Sequence, residues 1–95
     1  MRELSAAIQK LTGKPEQYIM VSIQQAAMMF ARSEEPCAFL TLRSIGAIGG
    51  DKNKMIASEI MAITSSKLGV DRSRTYMSFH DAARSDFGWN GSTFA

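Results

Sequence analysis

Residues 37–80 carry the pattern that most narrows what this chain can fold into. Cys37 to Ile45 (CAFLTLRSI) is a mostly apolar run of strand length, ended by Gly46, Gly49 and Gly50. A helical stretch runs from Asp51, a good N-cap, to about Leu68. Its apolar stripe is Ile56, Ile60 and Ile63, flanked by Ala57, Met61 and Leu68, and Gly69 closes it. From Arg74 to His80 the period changes to two, with Thr75, Met77 and Phe79 opposite Tyr76, Ser78 and His80. Strand, helix, strand is a complete βαβ unit. Such a unit joins parallel strands, since they cannot be linked by a tight turn.

The first half repeats part of that pattern. Leu4, Ala7, Ile8 and Leu11 lie at helical spacing between Arg2 and Thr12, and Gly13 and Pro15 punctuate the end. Gln17 to Gln24 alternates, which predicts a strand with Ile19, Val21 and Ile23 on one face. Residues 26–35 form a mixed connection, and Met28 and Met29 read as flexible packing at an edge or interface. A helix lying on a sheet needs a strand before it as well as after, so the opening strand of this first unit is expected to be missing from the sequence. The tail from Phe87 to Phe94 is rich in aromatics and glycine, as in a short hairpin or edge strand.

Composition removes several functional classes. Eleven Lys and Arg against nine Asp and Glu give +2, and no run of like charge exceeds Glu34-Glu35. Neither a nucleic-acid-binding arm nor a polybasic membrane patch is expected. No stretch nears the ~18 apolar residues of a membrane span. The start MRELS lacks the apolar region of a signal peptide, so the expectation is a cytoplasmic protein or one exported without a signal. One cysteine and one histidine leave no metal cluster, and no cofactor motif is present. Gly49-Gly50 lacks the lysine spacing of a phosphate loop and is explained by turn chemistry. Residues 1–95 form one small domain.

Four stretches, taken together, resemble one family: TGKPEQY (12–18), EPCA (35–38), SIG (44–46) and GWNGSTF (88–94). Their order and spacing are those of the macrophage migration inhibitory factor family of the tautomerase superfamily, over essentially the whole chain. The resemblance implies an α+β fold of two pseudo-symmetric βαβ repeats, with two helices on a mixed four-stranded sheet, assembled as a homotrimer. It also implies a pocket between subunits for a small aromatic keto acid, with phenylpyruvate tautomerase or dopachrome isomerase chemistry. Lys14 matches the lysine that holds the substrate carboxylate, and Ile45 a pocket residue offering backbone contacts. Tyr76 matches a tyrosine contributed by the neighbouring subunit, while Phe87, Trp89 and Phe94 match the apolar wall. Ser78 stands where many members have asparagine. Phe39-Leu40 follows Cys37 and Ala38, so the Cys-x-x-Cys pair of some members is absent.

Keto–enol tautomerisation moves a proton between carbon and oxygen, and needs a base that is neutral near pH 7 plus a group that stabilises the enolate. A terminal amine begins near pKa ~7.7–8, and a nearby cation with an apolar pocket lowers it further. The family uses an N-terminal proline for this. Pro15 and Pro36 are internal, so no catalytic residue is assigned and the chain numbered from Met1 is expected to be weak or inactive. Met1 falls at the start of the first helix, away from Lys14. The competing function is a non-catalytic, cytokine-like protein acting through a receptor. Without the resemblance, Lys14 is a solvated lysine at a helix C-terminus. Likewise Tyr76, Trp89 and Phe94 are packing residues of a sheet face, core edge or interface. His80 is structural or exposed, and Cys37 a small buried hydrophobe.

Overall fold

The computed structural model describes residues 1–95. Its centre is the unit β1 (Ala38–Ser44), α2 (Gly50–Leu68) and β2 (Thr75–Asp81), with β1 and β2 paired in parallel. The register runs from Ala38 opposite Thr75 to Ser44 opposite Asp81. Alternation then sorts the side chains. Ala38, Leu40, Leu42 and Ser44 share one face with Thr75, Met77 and Phe79, and these are buried or half-buried. Phe39, Thr41, Arg43, Tyr76 and His80 are exposed on the other face.

The inner face is covered by α2 through Ile56, Ile60 and Thr64, spaced one turn apart and all buried. Burying each isoleucine stabilises the layer by about 1.5–3 kcal/mol. Thr64 takes the place expected for Ile63, which is only half-buried. Its hydroxyl is satisfied locally, donating to the Met61 carbonyl at 3.2 Å. The start of α2 also differs from expectation. Gly49, at φ 125°, is the N-cap, and its N–H donates to Asn53 Oδ1 at 2.7 Å. Asp51 instead lies in the first turn, where the helix dipole favours a carboxylate, and pairs with Lys54 at 3.3 Å.

The first helix, α1 (Arg2–Thr12), packs beside α2 and ends in a left-handed Gly13 whose N–H donates to the Gln9 carbonyl at 2.8 Å. Glu3 and Lys67 bridge the two helices at 3.0 Å, but both are exposed and the pair contributes little.

The strand expected over Gln17–Gln24 is not formed. Glu16–Tyr18 is a short 3₁₀ turn, and no residue from Met20 to Met29 makes a backbone–backbone hydrogen bond within the chain. The alternating pattern survives only as burial: Ile19 and Val21 are half-buried, whereas Met20 is 93% exposed. A strand is a property of a pair, and this stretch has no neighbour in the chain to pair with. Within one chain, the four-stranded sheet implied by the resemblance is represented by the β1–β2 pair. The tail does form the expected hairpin, β3 (Gly88–Trp89) with β4 (Ser92–Thr93). Asn90 and Gly91, at φ 52° and 79°, supply the two left-handed residues that such a tight turn requires.

Between α2 and β2 a second 3₁₀ turn, Arg72–Arg74, is capped by Asp71, whose carboxylate accepts from the Ser73 N–H at 2.9 Å and the Ser73 hydroxyl at 2.8 Å. The backbone bond chiefly, then the hydroxyl, holds the Asp71 carboxyl below its usual 3.8. A depressed carboxylate stabilises the fold at pH values above its unfolded pKa, and that contribution fades as pH falls through the folded one. Asp71→Asn is therefore expected to be less stable than the parent at neutral pH. Denaturant midpoints measured down a pH series should converge as the solution is acidified below about pH 4.

Candidate functional site

The end of α1 delivers Lys14 to the end of β1. Gly13 reverses the chain, the Lys14 N–H donates to Thr12 Oγ1 at 3.3 Å, and Pro15 continues in extended conformation. The Lys14 ammonium then donates to the Ile45 carbonyl at 2.8 Å, joining residues 31 apart in sequence. That carbonyl belongs to a braced loop. Ser44 Oγ donates to the Gly46 carbonyl at 2.7 Å, and the Gly46 N–H donates to Asp81 Oδ1 at 2.8 Å. The Ala82 N–H donates to the Ser44 carbonyl at 2.8 Å, tying the loop to the end of β2. An ammonium carries three protons, so Lys14 can hold Ile45 and still offer two donors to an anion.

The aromatic residues of the tail meet on the segment that follows Lys14. Trp89 and Phe94 stack with centroids 5.8 Å apart and planes 16° from parallel. Tyr18 meets Trp89 edge-on at 5.8 Å and Phe94 at 6.1 Å, and Phe87 meets Phe94 at 6.1 Å. The Phe94 N–H donates to the Phe87 carbonyl at 3.2 Å, closing the tail on itself. Tyr18 ends the 3₁₀ turn that starts just beyond Lys14 and Pro15, so the cation and the aromatic wall are neighbours along one short segment. Trp89 is 55% exposed and Tyr18 49%, leaving ring faces for a ligand. Tyr18 is the member of this cluster that sequence reasoning did not assign to the site. Its place in the alternating run marked it as a strand residue, and only the 3₁₀ turn aims it at the tail.

Tyr76 and Ser78 lie elsewhere. Tyr76 packs edge-on against Phe30 at 5.2 Å and Phe39 at 6.3 Å, near the start of the sheet. Its register partner Phe39 precedes Ile45 by six residues. At ~3.3 Å per residue, Tyr76 is roughly 20 Å from the Lys14–Ile45 contact of its own chain. Ser78 Oγ donates to Thr41 Oγ1 at 3.5 Å and lies 3.3 Å from His80 Nε2 on the same open face. The Met1 amine is at the far end of α1, which at ~1.5 Å per residue puts it roughly 17 Å from Lys14. A cleft of about 380 Å³ opens there, between Met1 and Leu4 of the N-terminal segment, Ile23, and Ile63 and Leu68 of α2, and Lys14 does not line it. Cys37 is half-buried and unbonded.

The family model described as macrophage migration inhibitory factor matches residues 1–95. The macrophage migration inhibitory factor of Xenopus tropicalis is 40% identical over 96 aligned positions, spanning all of this chain and 84% of the relative. The crystal structure of a homologue from Prochlorococcus marinus superposes with a TM-score of 0.96 at 36% identity, covering 99% of this chain and 83% of that one. The corresponding protein of Trichinella spiralis gives 0.91 at 35%, covering 98% and 83%.

Since Trp89 is the one tryptophan, its emission reports the aromatic cluster directly. Tyr18→Ala removes two edge-on contacts, each worth about 0.5–1.5 kcal/mol beyond burial. The variant is expected to unfold at lower denaturant and to show red-shifted tryptophan emission. An unchanged spectrum would mean that Tyr18 does not hold the ring.

Proposed function

Because this chain belongs to the macrophage migration inhibitory factor family, we propose that it is one subunit of a homotrimer whose pockets bind a small aromatic keto acid. The observation that carries this reading is the Lys14 ammonium, anchored on the Ile45 carbonyl, on the short segment that leads into Tyr18, whose ring meets Trp89 and Phe94. A carboxylate pairs with the free protons of Lys14, and an aryl ring packs on the wall one segment away. An enolate forming next to that carboxylate gains from the same positive charge, which is the electrostatic part of keto–enol chemistry. Lys14, Ile45 and the aromatics are assigned to binding rather than to proton transfer.

Tyr76 and Ser78 fit the pocket only as residues of a neighbouring subunit, because their own Lys14 is too far along the sheet to share a ligand of this size. Assembly is also favoured by what one chain leaves uncovered. Only six of its 95 residues are buried, one sheet face has no layer over it, and residues 20–29 have no backbone partner. Such a small core calls for oligomerisation to reach ordinary stability. Sedimentation equilibrium is expected to give three times the 10.4 kDa chain mass. A monomer at micromolar concentration would remove Tyr76 and Ser78 from the pocket.

Phenylpyruvate titrated against the protein should quench Trp89. Lys14→Ala should weaken that binding roughly 10- to 100-fold, the range for losing a hydrogen bond to a charged group. An affinity unaffected by Lys14→Ala would instead favour the rival reading, in which the protein acts on a partner through a surface patch. The name of the vertebrate relatives, which describes an effect on macrophage migration, gives that reading its support.

A further inference from the structure

Arg74 makes a set of contacts that the proposed pocket does not use. It ends the 3₁₀ turn before β2, two residues from Tyr76, and its guanidinium points into the connection before β1. Nη2 donates to the carbonyls of Phe30 at 3.2 Å, Ser33 at 3.0 Å and Glu35 at 3.1 Å, while Nε donates to that of Pro36 at 3.0 Å. The same group lies over the Phe30 ring, 5.3 Å from its centroid. One side chain therefore reaches four carbonyls of a single seven-residue segment, the two protons of Nη2 being shared among three of them, and covers one aromatic face.

The segment it grips is strained. Phe30 and Ser33 exchange two backbone hydrogen bonds, at 2.9 and 3.0 Å, around a tight turn. The central residues of that turn, Ala31 and Arg32, have φ of 52° and 61°. Two successive non-glycine residues in the left-handed region need outside support to persist. Arg74 supplies it at both corners, binding the carbonyls of Phe30 and Ser33. The position so fixed is that of the Phe30 ring, whose other neighbour is Tyr76, 5.2 Å away.

We propose that Arg74 is a positioning residue for Tyr76: by latching the Phe30–Ser33 turn it holds Phe30 against Tyr76, and so sets the ring that a neighbouring subunit's pocket receives. The last clause rests on the reading of Tyr76 as a pocket residue; the latch itself does not. Lysine is a poor replacement for Arg74, because it lacks the Nε–H that meets Pro36 and the planar group that lies over Phe30, and so does not hold carbonyls and ring in one geometry. Glycine at 31 and 32 would let the turn form without support, since its left-handed conformation is unstrained.

The two tyrosines make the test selective. Tyrosine ring ¹³C labelling gives Tyr76 as the reporter and Tyr18, in the other aromatic cluster, as the internal control. In the assembled protein, Arg74→Lys and Phe30→Leu should each shift and broaden the Tyr76 ring signals and leave those of Tyr18 in place. Adding Ala31→Gly and Arg32→Gly to Arg74→Lys should return Tyr76 most of the way. Wild-type Tyr76 signals in both single variants would overturn the proposal, as would equal movement of Tyr18, which marks general loosening. Phenylpyruvate affinity separates the latch from the pocket reading. Arg74→Lys should weaken it roughly two- to tenfold, the effect of one misplaced aromatic contact. If Tyr76→Leu leaves affinity unchanged, Tyr76 is not a pocket residue, and the latch is then judged by the ring signals alone.

Discussion

The parallel pairing of β1 with β2 is the constraint from which the rest of the molecule follows. Parallel strands cannot be joined by a hairpin, so α2 must carry the chain back across the sheet, and its buried stripe of Ile56, Ile60 and Thr64 fixes which face is inside. The same parallelism puts both strand C-termini at one end. Ile45 and Asp81 become neighbours there, and the Gly46–Asp81 bond braces the carbonyl that Lys14 reaches. At the opposite end the two strand starts gather Phe39, Tyr76 and the Arg74-bound turn. One topological fact thus separates the two groups of candidate site residues along the strand axis.

On the proposed reading, that separation is why the components of the pocket are divided between the two ends of one chain's sheet. Lys14 and the Tyr18–Trp89–Phe94 wall are joined through one short segment, and Trp89 is more than half exposed. Tyr76, also 59% exposed, packs with Phe30 and Phe39 at the other end of the strands. A ring of subunits that brings the strand starts of one chain to the strand ends of the next would close the site and cover the open sheet face at once. Stability and binding would then share one interface.

Local turn chemistry does much of the positioning. Gly13 ends α1 in the left-handed conformation and turns Lys14 toward β1, and Asn90-Gly91 folds the tail so that Trp89 returns onto Phe94. At 31 and 32 the chain uses alanine and arginine for the same backbone shape, and the strain is held by a long-range contact instead. Glycine specifies a turn from within. A strained turn is specified from outside, and it can couple to whatever supplies the support.

The sequence by itself determined the elements whose signal is local. The spacing of Ile56 and Ile60, the alternation from Thr75 to His80, the Gly13 and Gly69 stops and the Asn-Gly hairpin are all consequences of backbone geometry over a few residues. The four motifs were enough to place the chain in its family and to single out Lys14 with Ile45, and the tail aromatics with one another. What needed tertiary structure was everything set by a partner distant in the chain. The alternating run at 17–24 has the composition of a strand but no ladder, since pairing depends on a neighbour that its own residues do not encode. Tyr18 joined the aromatic wall, and Thr64 displaced Ile63 from the core, because the direction in which a side chain points is decided by what packs against it. Arg74 reads as one charged residue among many in the sequence; only the fold brings four carbonyls within reach of it.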